Sequence, residues 1–302
     1  MTTLKNFDVI IIGGSYAGLS AAMALGRSLR NVLMIDSGLP CNRQTPHSHN
    51  FLTQDGETPA AIAAAAKAQV LKYETVQFLN DKAVDARQLE KGFSISTAGG
   101  EVFSAKKLIF ATGIKDIMPD IKGFAECWGI SVVHCPYCHG FEIRNKKTGI
   151  LAHGARAMHL APLVKNLTED ITIFTGGTAD FSKEDLEKLN KHHIRIVETE
   201  ISEVQHENGH LTKLTLADGK SMNFEALYAA VPFTQHSDLP EKLGCELTEH
   251  GYITTDGFQQ TTVKGIYACG DNSVMMRSVA NAVYSGNLTG AMLNKELVDE
   301  EF

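Results

Sequence analysis

The chain has 302 residues, of which 43% are hydrophobic and 26 are glycine, a composition typical of a soluble α/β protein with about two domains. The formal net charge is −7 and no basic block is present, which argues against nucleic acid or an anionic membrane surface as a main partner. No apolar run is long enough to span a bilayer and no signal-peptide pattern is found, so we expect a cytoplasmic protein without a membrane partner.

A β-branched run at residues 9–12 predicts a buried parallel strand. It leads into Gly13-Gly14-Ser15-Tyr16-Ala17-Gly18 and a helix-forming segment, a Gly-x-Gly-x-x-Gly frame with Ser15 at the middle glycine position. In such a frame the first glycine permits a tight turn, the last lets helix and strand pack closely, and the helix N-terminus faces a pyrophosphate. A second strand, residues 32–35, ends at Asp36, where an acid can bind a ribose hydroxyl. This order of features favours a dinucleotide site over an α/β unit with a glycine turn and no ligand.

The next stretch contains a predicted helix and several predicted strands. Thr58-Pro59 indicates a helix start, and an alanine-rich segment carries the helix to about Tyr73. Residues 76–110 predict short strands and turns, and residues 108–113 end a strand in small residues that a ligand can approach closely. His47 and His49 could bind a metal, but no third ligand is nearby and such pairs more often line loops.

A second strand–turn–helix pattern begins at residue 149, with further strands predicted at residues 171–174 and 194–197. Ser182, three residues before Asp185, resembles a helix start with a capping acid. Asn208-Gly209 and Asp218-Gly219 are turn signals that predict an antiparallel meander. We therefore expect a second βαβ domain inserted over residues 116–231.

The nucleotide fingerprint of this second domain is degenerate. Ala152 replaces the first glycine, although Gly154 keeps the position where backbone meets phosphate. The second strand ends without an acid for a ribose diol and without an arginine pair for a 2′-phosphate. This argues against ordinary tight NAD or NADP(H) binding and leaves weak or unusual binding open.

The chain then returns to the first domain. Residues 265–271 predict a strand that ends in Gly-Asp, and residues 277–293 predict a closing helix. Asp271 could accept a hydrogen bond from a cofactor hydroxyl or cap that helix. The predicted fold is thus α/β with two Rossmann-like, doubly wound domains, in which residues 1–115 and 232–302 form a discontinuous domain around the insert.

A Cys-x-x-Cys motif, Cys135-Pro136-Tyr137-Cys138, lies in the insert between His134 and His139. On a helix both sulfurs share a face, and Pro136 suits the first helical position. Cys135 would then lie at a helix N-terminus that stabilises a thiolate, with the histidines able to hold or relay a proton near neutral pH. Half a zinc site and two unrelated structural cysteines are the alternatives, but no second ligand pair completes a zinc site and we expect no metal.

In order and spacing, four motifs resemble the low-molecular-weight thioredoxin reductase family: the glycine frame, Ala111-Thr112-Gly113, Cys135-Pro136-Tyr137-Cys138 and Ala268-Cys269-Gly270-Asp271. The resemblance implies a two-domain FAD flavoprotein, usually a homodimer, in which Cys138 faces the flavin and Cys135 exchanges with substrate. It also implies a cofactor-binding set of Gly13, Gly14, Ser15, Ala17, Gly18, Asp36, Ala111, Gly113 and Asp271, with Asn50 and Val279 near the flavin.

Two departures from that family bear on function. His139 follows the second cysteine where the reductases usually carry Asp, and the NADPH fingerprint with its basic cluster is missing. In both points the chain resembles the flavin-dependent dithiol oxidases of gliotoxin and holomycin biosynthesis. A further branch of the family takes electrons from ferredoxin or flavodoxin, and a net charge of −7 would repel an acidic ferredoxin.

The leading hypothesis is an FAD-dependent dithiol–disulfide oxidoreductase that cycles a Cys135–Cys138 disulfide with His139 as general base. One form of it is a dithiol oxidase that uses oxygen or another non-nicotinamide acceptor, on a small-molecule or protein substrate. An NADPH-dependent thioredoxin or disulfide reductase would run the same cysteines in reverse. An FAD-binding redox sensor would cycle once and show no steady-state flux.

Overall fold

The computed structural model describes residues 5–302, in which alternating strands and helices are interrupted by two runs of consecutive strands. The helices are α1 (Tyr16–Arg27), α2 (Pro59–Val70), α3 (Phe124–Cys127), α4 (Pro136–His139), α5 (Gly154–Lys165), α6 (Lys183–Lys191), α7 (Leu239–Lys242) and α8 (Val279–Glu301). The strands are β1 (Lys5–Ile12), β2 (Val32–Asp36), β3 (Val76–Asn80), β4 (Ala83–Gln88), β5 (Phe93–Thr97), β6 (Val102–Phe110), β7 (Ile114–Asp116), β8 (Val132–Val133), β9 (Thr148–Leu151), β10 (Ile171–Phe174), β11 (Arg195–Val197), β12 (Ile201–Glu207), β13 (His210–Leu216), β14 (Ser221–Asn223), β15 (Ala226–Ala229), β16 (Phe233–Gln235) and β17 (Ile266–Ala268).

The β-branched run near the N-terminus forms the centre of a mixed sheet in strand order β3-β2-β1-β6-β5-β4. Strands β1, β2, β3 and β6 are parallel, and β4 and β5 add an antiparallel hairpin. Strand β6 is long enough to pair with β5 through its first half and with β17 through residues 108–110. This places the ends of β1, β2, β6 and β17, where the predicted cofactor residues lie, at one edge of the sheet.

The second sheet is parallel and has strand order β11-β10-β9-β15-β8. Its strands are nearly continuous apolar runs, as expected for a sheet that helices cover. Strands β12, β13 and β14 form the predicted antiparallel meander, with its turns at Asn208-Gly209 and Asp218-Gly219. The predicted capping box is confirmed, because the Ser182 hydroxyl accepts from the Asp185 amide and the Asp185 carboxylate accepts from the Ser182 amide.

Two predicted helix boundaries were wrong. Helix α2 begins at the predicted Thr58 cap but ends at Val70 rather than near Tyr73, because Val70 is the last of its residues to face the core. Helix α8 begins at Val279 rather than residue 277 and continues to Glu301 rather than residue 293. Its last turns are held by the buried Lys107 ammonium, which lies 2.8 Å from Glu296 and 2.7 Å from Glu300.

Contacts between residues divide the chain into two units. The first comprises the chain up to residue 43 together with residues 51–115 and 233–302, and the second comprises residues 44–50 and 116–232. The short segment 44–50 belongs to the second unit because Thr45 packs on Gly129 and His49 faces Glu142. Among residues 5–302, no helix is both long and apolar enough to cross a membrane.

Candidate active site

The Cys-x-x-Cys motif forms one helical turn at the end of β8. Pro136 occupies the first helical position of α4 and Cys135 is its N-cap, as predicted. The Cys138 amide donates to the Cys135 sulfur at 3.2 Å. Both cysteines are partly buried.

The helix-dipole contribution expected at Cys135 is small, because α4 has only four residues and therefore few aligned peptide dipoles. Instead, the amide of Cys138 stabilises negative charge on the Cys135 sulfur, because it donates a hydrogen bond to that sulfur. Tyr137, between the cysteines, is exposed. The turn thus presents a donor-stabilised sulfur next to an exposed aromatic ring.

The two flanking histidines occupy different surroundings. The His134 ring stacks on Trp128 with centroids 5.9 Å apart, and the Trp128 indole N–H donates to Asp116 at 3.3 Å. This stack fixes the ring of His134. The His139 side chain is instead partly buried on α4, and His49 is among the groups that act on it electrostatically.

The pKa of His139 is lowered to about 4, first by burial, which penalises the imidazolium, and then by the nearby His49. The motif predicts that the flanking histidines hold or relay a proton near neutral pH, whereas the His139 imidazole is neutral there. His49 Nε2 lies 3.6 Å from Glu142 Oε1, closer to solvent. His49 therefore interacts with both His139 and Glu142.

This pKa predicts a pH-dependent stability. Between pH 6.5 and 4, His139 is protonated in the unfolded chain but neutral in the folded chain. The free energy of unfolding therefore falls as the pH drops through that range. Between pH 7.5 and 4.5, we expect the free energy of unfolding, measured with urea, to fall by about 2 kcal/mol less in His139→Gln than in the parent. The matched control is His210→Gln, at an exposed histidine. Equal losses in the parent and His139→Gln would contradict the prediction.

The glycine frame at the end of β1 is built as predicted. Gly13 has φ +107°, and a Cβ there would overlap the carbonyl oxygen of Ala111. A Cβ on Gly18 would overlap the carbonyl oxygen of Gly13, so helix α1 packs directly on the turn. Ser15 is the N-cap but makes no side-chain cap hydrogen bond, which leaves amides at the start of α1 for a ligand.

Asp36 ends β2 beside this turn. Its Oδ1 accepts from the Gly14 amide at 2.9 Å and its Oδ2 accepts from the Gly38 amide at 3.3 Å. Each carboxylate oxygen can accept more than one hydrogen bond, so a ribose hydroxyl could still donate to it. Ala17 lies on the buried side of α1.

The other predicted cofactor residues of the first unit follow β6 and β17. Ala111 comes directly after β6, and Gly113, with φ +64°, has no atom within 4 Å of the place a Cβ would occupy. Asp271 lies 3.7 Å from Arg277 and does not cap α8; Ser278 does, by accepting from the Asn281 amide. Val279 is the first residue of α8. Asn50, with φ +58°, is the one member of the set that belongs to the second unit.

The degenerate fingerprint of the second unit carries acids near its turn. Ala152 is buried in the first glycine position, and a Cβ on Gly154 would lie 2.9 Å from the Asp180 carboxylate. The Glu198 carboxylate accepts from the Ala179 amide at 2.7 Å. Negative charge therefore lies next to the start of α5, where a pyrophosphate would need amides or cations.

Three side chains of the site were not predicted from the sequence: Glu142, Tyr228 and His49, which the sequence suggested only as a possible metal ligand. Each is distant in sequence from at least one group that it meets, and none lies in a recognisable motif. Within residues 5–302, no group of three or more His, Cys, Asp or Glu side chains is arranged to hold a metal ion.

Comparisons with known proteins agree with this geometry. The family described as "Pyridine nucleotide-disulphide oxidoreductase" matches residues 7–286. Thioredoxin reductase tcpT of Claviceps purpurea is 33% identical, covering 99% of this chain and 96% of its own length, and thioredoxin reductase sirT of Leptosphaeria maculans is 32% identical, covering 95% and 93%. Among solved structures, an oxidoreductase from Agrobacterium tumefaciens is 39% identical with a TM-score of 0.91 over 97% of this chain and 99% of its own. HlmI is 30% identical with a TM-score of 0.92 over 98% and 94%.

Proposed function

The chain belongs to the pyridine nucleotide-disulphide oxidoreductase family, whose members depend on FAD and act on disulfides, and we propose that it oxidises dithiols without a nicotinamide. The observation that carries the proposal is the Cys135–Cys138 pair with His139 beside it, in the unit whose nucleotide fingerprint is degenerate. The oxidase form of the leading hypothesis is thereby favoured over the reductase.

The first unit fits FAD. A Cβ at Gly13 or Gly18 would overlap neighbouring backbone, so both positions require glycine, as the tight turn of a pyrophosphate-binding frame does, and Asp36 can receive ribose hydroxyls. Asp271, which is not used as a cap, can receive a further cofactor hydroxyl. When bound, FAD supplies an acceptor for the electron pair that a dithiol gives up on becoming a disulfide.

Cys135 and Cys138 carry out the exchange. A substrate thiolate attacks Cys135 of the oxidised pair, which forms a mixed disulfide and releases the Cys138 thiolate. The second substrate thiolate attacks the substrate sulfur of that mixed disulfide and releases the Cys135 thiolate. The substrate leaves as a disulfide, and both of its electrons then reside on the cysteine pair.

His139 accepts the substrate proton. At pH 7 its imidazole is neutral and has a lone pair to offer, but with a pKa near 4 it holds a proton only briefly. We therefore propose that the proton passes to His49 and Glu142, whose side chains lie 3.6 Å apart. His139 then acts as a general base that relays the proton, because a group with a pKa near 4 does not retain a proton at pH 7.

Several features of the second unit disfavour tight NAD(P)H binding and leave weak or unusual binding open. Gly176 and Gly177 follow β10 where a 2′-phosphate would need arginines, and Asp180 and Glu198 add negative charge nearby. Charge repulsion of a dinucleotide supports an acceptor other than a nicotinamide. The relatives named thioredoxin reductases favour the second candidate, an NADPH-dependent disulfide reductase. The homodimer and the cytoplasmic location stay predictions.

Anaerobic titration of the yellow protein separates the candidates. We expect stoichiometric dithiothreitol to bleach the flavin absorbance, because the dithiol reduces the cysteine pair, and equal NADPH or NADH to leave it unchanged. Readmission of oxygen tests whether oxygen restores the colour. Rapid bleaching by stoichiometric NADPH would instead establish the reductase.

A further inference from the structure

A buried phenol in the second unit has no assigned task. Tyr228 lies on β15 and is 1% exposed. Its hydroxyl has no hydrogen-bond partner among residues 5–302. A buried donor without a partner is costly and needs an explanation, such as a functional role in another state of the protein.

The sheet places this residue next to the cysteine turn. Strand β15 pairs in parallel with β8, and Tyr228 is in register with Val133, two residues before Cys135. The ring belongs to the same apolar cluster as Val133, Ile143 and Ile150, which holds it within the sheet's core. Register and packing therefore hold the ring beside the strand that leads into Cys135.

The charges that act on the hydroxyl support this placement. Burial raises the pKa of Tyr228, and the negative charges of Cys135, Glu142 and Cys138 raise it further. The phenol consequently keeps its proton throughout the working pH range and remains a donor.

We propose that the Tyr228 hydroxyl is a positioning donor for the Cys135 sulfur in its thiolate state. The inference rests on the proposed function, in which cleavage of the mixed disulfide by the second substrate thiolate releases the Cys135 thiolate. With the pair closed, the sulfur carries no charge and attracts the hydroxyl weakly. As the mixed disulfide is cleaved, negative charge develops on the Cys135 sulfur, and an O–H···S⁻ hydrogen bond stabilises that charge and makes Cys135 a better leaving group.

The test uses the full chain with Cys138→Ser, so that Cys135 is the only thiol left in the motif. Peptide-resolved mass spectrometry follows its alkylation by iodoacetamide as a function of pH. We expect Tyr228→Phe to raise the midpoint of the alkylation profile by about one pH unit and to slow alkylation at pH 7 several-fold. Its melting temperature should equal or exceed that of the parent, because the ring stays and an unpartnered hydroxyl is removed.

The matched control is Tyr267→Phe, a second buried tyrosine, whose hydroxyl donates to Glu296 in the first unit. An unchanged midpoint in Tyr228→Phe, or an equal shift in Tyr267→Phe, would overturn the proposal. The midpoint would also stay unchanged if the Tyr228 hydroxyl donated to Glu142 and not to Cys135, and the proposal would then be wrong. The assay needs neither substrate turnover nor an electron acceptor, so its outcome is independent of the anaerobic titration that decides the function.

Discussion

Replacement of either motif cysteine by serine is expected to lower dithiol turnover by about 10³-fold or more, because each sulfur takes part in a covalent step that oxygen cannot perform. The two variants should differ in what accumulates. In Cys138→Ser, Cys135 can still react with a substrate disulfide and should retain a mixed disulfide that mass spectrometry detects. In Cys135→Ser, no such adduct should form, because Cys138 is not the sulfur that exchanges with substrate.

The control for this pair is Cys245→Ala, which removes a buried sulfur of the first unit that lies outside the proposed site. We expect it to keep parental turnover at a temperature well below its melting point. Full turnover in either serine variant would eliminate the redox-pair assignment. If the adduct formed on Cys138 and not on Cys135, the roles assigned to the two cysteines would have to be reversed.

Substitution of Gly13 by alanine should deprive the protein of its flavin. The left-handed φ of Gly13 costs an L-residue about 1–2 kcal/mol, and the overlap with the Ala111 carbonyl adds about 1–3 kcal/mol. Relief of the overlap separates the turn from β6 and disturbs the cradle for the pyrophosphate. The measurement is the flavin absorbance retained after desalting, and affinity should fall at least about tenfold.

Gly100→Ala is the matched control, because Gly100 has φ +85° but no atom within 4 Å of the place a Cβ would occupy. This variant therefore measures the cost of a positive φ for alanine without the additional cost of a Cβ that overlaps neighbouring atoms. We expect it to lose about 1–2 kcal/mol of unfolding free energy while retaining flavin like the parent. Equal flavin retention in Gly13→Ala and Gly100→Ala would show that the turn does not hold the cofactor.

Local patterns were enough to predict the elements around the site. The apolar run into the glycine frame predicts β1 and α1, because periodicity and turn geometry act over a few residues. Pro136 predicts the start of α4 for the same reason: its fixed φ and missing amide suit one position of a helix. Where the outcome depended on distant partners, as at the end of α8 with Lys107, the predicted boundary was wrong.

The sequence by itself determined the two βαβ patterns, the glycine turn, the capped helices and the cysteine pair, since each is encoded by neighbours along the chain. Only the tertiary structure decided that His139 is neutral, that His49 acts on it and lies 3.6 Å from Glu142, and that Tyr228 is in register with Val133. These properties depend on burial and on electrostatic contact between segments far apart in sequence. Desolvation and charge–charge energies follow distance in space, which no local pattern of residues encodes.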